Sequence, residues 1–322
     1  MSDDILTIEE KNGEIIVTDC KKDAIKVVIP DNVTQIGEAA FEDCKRLNSI
    51  VIPSSITKIR KSAFCNCKAL KSIVIPDSVT QIETKAFIHC IKLKSIVLPT
   101  NITRISEATF CNCKALESIV LPDSVTKIEK YAFWNCKALK SIIIPSGLTK
   151  ISECTFCGSE SLESIEIPVR VTKIEDSAFL GCFSLKSIDI PDRVTKIEDS
   201  AFSYCTALRS IKIPNSITHI GNHAFNHCTS LESIEIPNNI ISIGSRAFAE
   251  CTALRPNSVV YRGTAAQWKK IKIMPSFYFM NQGMNDILFG SSEQKVCCMG
   301  TDGNGVTPIW LNEEEKDVSK DW

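Results

Sequence analysis

The sequence predicts a β-rich α/β solenoid of about ten stacked units, each 23 residues long. Ten prolines are spaced 23 residues apart, and each is followed by Phe after eleven residues, Cys after fourteen and Leu after seventeen. We call each set of equivalent positions a column. The Phe and Leu columns are filled in every unit, and the Cys column is broken only at Ser159. A solenoid of this kind offers a broad surface for function, in place of one catalytic pocket. The prolines are Pro30, Pro53, Pro76, Pro99, Pro122, Pro145, Pro168, Pro191, Pro214 and Pro237.

The unit around Pro76 shows the elements expected in each repeat. Residues 72–75 alternate between inward Ile and outward Ser or Val, which predicts a strand with one buried and one open face. Pro76 ends this strand, and residues 79–82 predict a second short extended piece. Residues 84–90 then predict about two turns of helix. Each unit is therefore expected to contain two short, parallel-stacking strands and a short helix.

Both ends of the repeat region carry residues that depart from the pattern. Residues 5–19 alternate on either side of Asn12-Gly13, which is a strong hairpin signal. We predict a hairpin cap at 1–23, the solenoid at 24–258, a C-terminal cap at 259–312 and a charged tail at 313–322. A solenoid needs capping because its last turn otherwise exposes core residues to water. Tyr261 and Trp268 are the apolar residues expected to cover that turn.

Composition narrows the classes of partner. The chain has 37 basic and 38 acidic residues, so no global field attracts nucleic acid, and none is expected as a partner. No run of 18 apolar residues is present, so membrane insertion is not expected. The acidic N-terminus lacks the layout of a secretory signal, which predicts a cytoplasmic protein. A cell-surface or secreted location is the alternative, if a signal peptide was removed.

Candidate chemistry is sparse along the chain. The nine column cysteines share one register beside Phe and Leu, and we expect them to be buried, reduced thiols. His219, His223 and His227 are spaced four apart, but the repeat places His219 in a strand, so surface histidines are expected. We find no nucleophile motif, phosphate loop or metal-ligand pattern. The sequence therefore predicts a non-enzymatic protein without cofactor or metal.

The outward position of the first strand carries the candidate binding site. It is apolar in six consecutive units and then changes abruptly to charged residues, namely Glu166, Asp189, Lys212 and Glu235. We predict an apolar strip on the concave sheet face that binds a protein or extended peptide. The high β-propensity of Val is an equally weighted alternative explanation. The strip residues are Val28, Val51, Val74, Val97, Val120 and Ile143.

The repeat resembles the BspA-like class of leucine-rich repeats. The match is to the pattern Cys-x-x-Leu-x-Ser-Ile-x-Ile-Pro-x-x-Val-Thr-x-Ile-x-x-x-Ala-Phe, as in residues 136–156. The resemblance implies a right-handed solenoid used for binding, often in adhesion to host proteins. Two other hypotheses stay open: a structural or self-assembling rod, and an enzyme or metal protein whose active part is the tail, 259–322.

Overall fold

The computed structural model describes residues 5–255, 258–274, 296–301 and 306–311. The fold is a leucine-rich repeat β-solenoid of about 11 turns, rich in strand and with almost no helix. The chain divides into two compact units, residues 1–170 and 171–322. The predicted charged tail, 313–322, lies outside the described residues.

Unit 1 contains two series of short strands. The sheet β1-β2-β4-β6-β8 begins with an antiparallel hairpin and continues in parallel, while β3 pairs with β5, β7 with β9, and β10 with β11. The strands are β1 (Leu6–Lys11), β2 (Glu14–Cys20), β3 (Lys26–Val28), β4 (Gln35–Ile36), β5 (Ser49–Val51), β6 (Lys58–Ile59), β7 (Ser72–Val74), β8 (Gln81–Ile82), β9 (Ser95–Val97), β10 (Arg104–Ile105), β11 (Lys127–Ile128) and β12 (Lys150–Ile151).

Unit 2 repeats this arrangement. The ladder β13-β15-β17-β19-β21 stacks the second strands in parallel, and β14-β16-β18-β20-β22 stacks the first strands before antiparallel β23. Its elements are β13 (Lys173–Ile174), β14 (Ser187–Asp189), β15 (Lys196–Ile197), β16 (Ser210–Lys212), β17 (His219–Ile220), β18 (Ser233–Ile236), β19 (Ser242–Ile243), β20 (Val259–Tyr261), α1 (Ala265–Trp268), β21 (Lys272–Ile273), β22 (Val296–Thr301) and β23 (Val306–Leu311).

The predicted N-terminal hairpin is confirmed as a structural element. Asn12 and Gly13 connect β1 to β2 with φ of 53° and 78°, as a two-residue hairpin turn requires. Strand β2 then pairs in parallel with β4, so the hairpin joins the sheet of second strands. The domain boundary at residue 23 and the capping role remain predictions.

The core of each unit is a column of phenylalanine rings. In unit 1, neighbouring ring centroids from Phe41 to Phe156 lie 5.0–5.7 Å apart with planes within 15°. In unit 2 the rings from Phe179 to Phe248 are 5.3–5.4 Å apart. Such aromatic pairs add about 0.5–1.5 kcal/mol each beyond the burial of their surface. The 23-residue spacing of Phe thus produces a stack of rings within each unit.

The prediction of a short helix in each 23-residue repeat is wrong. Residues 84–90 form consecutive turns, because Lys85 and His89 adopt left-handed φ values of 60° and 61°. The N–H groups of Lys85, Phe87 and His89 donate at 2.8–3.0 Å to carbonyls of the next repeat. A helix would direct these donors along its own axis. Stacking supplies acceptors from the neighbouring turn, which makes the helix unnecessary.

The cysteine column is a ladder of buried thiols. Each Sγ for which a partner is described donates to a backbone carbonyl of the preceding turn; Cys113 reaches the Phe87 oxygen at 3.2 Å. Ser159, the exception in the column, makes the same bond to Phe133 at 3.3 Å. The position therefore requires a small buried donor. The free, buried thiols of the column are Cys44, Cys67, Cys90, Cys113, Cys136, Cys182, Cys205, Cys228 and Cys251.

Aromatic residues follow the last regular repeat. Tyr261 and Trp268 are buried, with ring centroids 5.1 Å apart. The Tyr261 hydroxyl donates to the Asn238 carbonyl at 3.3 Å, one turn back. These contacts connect β20 and α1 to the solenoid, and the extent of the proposed C-terminal cap, 259–312, remains a prediction.

Candidate binding face

The apolar strip, defined as Val28, Val51, Val74, Val97, Val120 and Ile143, lies at the outward position of successive turns of unit 1. Its side chains are 54–85% exposed. The residues on either side of each one, such as Ile73 and Ile75 beside Val74, are buried. The alternation of inward and outward residues in the sequence thus agrees with the exposure of these side chains.

Strand pairing brings strip residues side by side. Val28 lies opposite Val51 in the β3–β5 pair, and Val74 lies opposite Val97 in the β7–β9 pair. The serine column is equally aligned, with Ser72 opposite Ser95, and both serines are exposed. The β7–β9 pair therefore presents two adjacent aliphatic groups beside two hydroxyl groups, whereas the β3–β5 pair has Lys26 opposite Ser49 at that position.

A shallow pocket interrupts the strip between β5 and β7. These two strands belong to different ladders, and the space between them has a volume of about 390 Å³. Its lining includes Ser49, Val51, Ser72, Val74 and Pro76. The pocket is therefore lined by both hydroxyl and aliphatic groups.

The distribution of regular strands does not follow the distribution of valine. Val120 and Ile143 lie on segments that are not assigned to a strand. In unit 2 the same outward position carries Asp189, Lys212 and Glu235 within regular strands β14, β16 and β18. Register places Asp189 beside Lys212 and Lys212 beside Glu235, so charges of opposite sign alternate.

Ion pairs cover the second-strand face of unit 1. Lys58 contacts Glu83 at 2.7 Å, and Lys127 contacts Glu129 at 2.8 Å. Burial raises the pKa of the Glu83 carboxyl, but hydrogen bonds from Lys58 and the Lys61 N–H outweigh it and hold that pKa below its ordinary value. Because acidic and basic groups neutralise one another here, this face has no strong field of one sign.

A basic surface borders the strip, and the sequence analysis above missed it. We call it the basic shoulder; its side chains lie in the linkers between each Cys and the following first-strand segment. A count of charge by repeat column would have revealed it, whereas net charge conceals it. Its residues are Lys45, Arg46, Lys68, Lys71, Lys92, Lys94, Lys114, Lys137 and Lys140, of which all but half-buried Lys137 are exposed.

The histidine series does not form a common site. His219 lies in β17, whereas His223 and His227 occupy the two left-handed turn positions that follow. The His227 ring stacks on Tyr204, with centroids 4.3 Å apart. Within the described ranges, no three His, Cys, Asp or Glu side chains are grouped so that they could hold a metal ion.

These features define a class of protein: a repeat solenoid with an open face that is both apolar and basic. The family model for the BspA type leucine rich repeat region matches residues 19–140 and 127–255, in six copies. The chain belongs to the BspA-type leucine-rich repeat family. Leucine-rich repeats of this kind are scaffolds commonly used for protein binding or adhesion, and their members are typically non-enzymatic.

Two solved structures share the fold, and a third is similar in sequence. A leucine-rich repeat protein from Bacteroides ovatus is 30% identical, with a TM-score of 0.78 over 87% of this chain and 79% of that chain. The pneumococcal vaccine antigen PcpA is 22% identical, with a TM-score of 0.52 over 81% and 69% of the two chains. A leucine rich cell surface protein from Faecalibacterium prausnitzii is 26% identical, with a TM-score of 0.45 over 88% of this chain and 98% of that chain.

No curated protein is similar enough to this sequence to count as a match. Across the part of the chain that the structure describes, none of the helices has the length and apolar character required to cross a bilayer.

Proposed function

We propose that the protein is a non-enzymatic binding scaffold that engages another protein, or an extended peptide, through the apolar strip of unit 1. One observation carries the proposal: six large aliphatic side chains are more than half exposed at one repeated position. Exposed apolar side chains grouped on one face of a protein are typical of interaction sites. Because the backbone beneath it is already ordered, docking would cost little conformational entropy.

The competing explanation, β-propensity, accounts poorly for the distribution of residues. Strands β14, β16 and β18 form with Asp, Lys or Glu at this position. Val120 and Ile143 occupy it where no regular strand is present. Strand formation therefore neither requires these aliphatic residues nor follows from them, which favours a role at an interface.

The proposal is tested with the triple variant Val74→Lys, Val97→Lys and Val120→Lys. A matched control, Val169→Lys with Ile241→Lys, changes two residues that are 78% and 56% exposed but lie outside the strip. Wild type and both variants are immobilised and presented with the same protein extract. We expect wild type and control to retain a common partner and the triple variant to lose at least about tenfold in affinity for it, equivalent to about 1.4 kcal/mol.

The two remaining hypotheses predict different results. If the triple variant retains the partner as wild type does, the strip is not the binding site. If the protein is a self-assembling rod, the triple variant would change the sedimentation coefficient that is measured for the protein in the absence of any partner. For an activity located in 259–322, deletion of that segment would abolish activity while the triple variant would leave it unchanged.

A further inference from the structure

The basic shoulder and the apolar strip occupy the same repeats and end together. The first five linkers together contain nine basic residues and one acidic residue, Glu117, for a net charge of 9 − 1 = +8. The next five linkers contain three basic and three acidic residues, for a net charge of 3 − 3 = 0. The first five linkers are residues 45–48, 68–71, 91–94, 114–117 and 137–140. The next five are residues 160–163, 183–186, 206–209, 229–232 and 252–255.

Most of the shoulder charge is available to a partner. Lys45, Lys94 and Lys137 have acidic neighbours, at 3.3, 3.1 and 2.6 Å respectively. The other six cations have no acidic partner within 4.0 Å among the residues that the structure describes. They are Arg46, Lys68, Lys71, Lys92, Lys114 and Lys140.

The shoulder lies close enough to the strip for one ligand to contact both. Lys71, Lys94 and Lys140 each precede a strip residue by three positions, a separation of about 10 Å along an extended backbone. A lysine ammonium and a ligand carboxylate, each on a flexible side chain, span such a distance. Strip residues in paired strands are about 4.8 Å apart, so the six extend over at least about 24 Å, the length of about seven extended residues.

We infer that the partner presents an extended segment of about seven residues in which apolar and acidic side chains are mixed. Its apolar groups lie along the strip, and its carboxylates face the basic shoulder. This inference rests on the proposed function and specifies the chemistry of its partner. A polyanion such as a sulfated glycan would pair with the shoulder but leave the aliphatic strip without a role, and the coincidence of the two surfaces in the same repeats favours the acidic and apolar segment.

The probe is a phage-displayed library of random peptides about seven residues long, selected on the intact chain. We expect enriched sequences to combine Asp or Glu with aliphatic or aromatic residues. Enriched peptides are then synthesised, and their affinity is measured by fluorescence anisotropy for wild type and for the shoulder variant Lys68→Glu, Lys71→Glu and Lys92→Glu. The control variant, Lys173→Glu, Lys196→Glu and Lys269→Glu, has the same net charge but leaves the shoulder intact.

We expect the shoulder variant to bind at least about tenfold more weakly and the control to remain within about twofold of wild type. Raising sodium chloride from about 50 to about 300 mM should weaken wild-type binding more than binding by the shoulder variant. Failure of the strip triple variant to affect binding would overturn the proposed function. If binding depends on the strip but the shoulder variant binds normally, only the present inference fails.

Two further results would overturn the inference. One is a selection that enriches no sequence, or only sequences without acidic residues. The other is a heparin oligosaccharide whose binding is lost in the shoulder variant and retained or strengthened in the strip triple variant, which adds three lysines. That result would show that the shoulder binds a polyanion independently of the strip.

Discussion

A glycine substitution at Lys85 distinguishes the observed turn from the helix that the sequence suggested. Lys85 is exposed and has a φ of 60°, a left-handed conformation that costs a residue with a side chain about 1–2 kcal/mol. Glycine removes this cost but loses about 0.4–1 kcal/mol through the greater freedom of the unfolded chain. The balance predicts that Lys85→Gly stabilises the protein by about 0.5–1 kcal/mol.

A matched control lies in the same repeat. Lys92 is exposed and is not among the residues with positive φ, so Lys92→Gly should destabilise the protein through backbone entropy alone, by about 0.5–1 kcal/mol. Urea titration followed by circular dichroism gives the midpoint and apparent free energy of unfolding for wild type and both variants. The two substitutions are expected to shift the midpoint in opposite directions.

The turn assignment would be refuted if Lys85→Gly lowered stability by about 0.7–1 kcal/mol, as glycine does in an exposed helix interior. In that case Lys85→Ala would also raise stability slightly, because Ala has the highest helix propensity.

Three further predictions concern the core and the C-terminal end. Cys113→Ser should retain the hydrogen bond to the Phe87 carbonyl, since Ser159 makes the equivalent bond to the Phe133 carbonyl. Cys113→Ala should instead cost about 1–2 kcal/mol in urea titrations, and equal losses in the two variants would contradict the donor role. Burial raises the pKa of the Cys113 thiol well above the ordinary value of 9.0. As pH rises above about 9, the unfolded chain therefore loses this proton before the folded protein does, and the free energy of unfolding should fall. The native thiol should also react slowly with alkylating reagents. Trp268→Ala removes a buried ring in contact with Tyr261 and should cost about 3–5 kcal/mol, measured as a lower unfolding midpoint; an unchanged midpoint would argue against a capping role.

Local patterns in the sequence were sufficient for the elements that depend on them. The alternation of Ile73 and Val74 indicated which side chain is buried and which is exposed. Asn12-Gly13 indicated the hairpin, because few other pairs adopt two successive positive φ values. The common register of Cys and Phe indicated burial of both columns, since a residue repeated at one position meets the same surroundings in each turn.

The helix prediction failed although a contrary signal was present. The position before each column Cys has positive φ in every repeat, and most of its residues are Asn, Asp, His or Gly, types that tolerate this conformation. The apolar spacing of Ala and Phe was read as a helical period instead. The residues at this position are Asp43, Asn66, His89, Asn112, Asn135, Gly158, Gly181, Tyr204, His227 and Glu250.

The sequence by itself determined the period, the core columns and the outward strip, because each follows from residue type at a repeated position. Only the tertiary structure decided where the backbone donors of the turns bond, since Phe87 donates to Thr109, 22 residues away, and no local pattern encodes that acceptor. It also decided which strip residues are paired in regular strands and where the pocket between β5 and β7 opens. These properties depend on how adjacent turns approach one another, and that distance arises from the packing of all the stacked columns together.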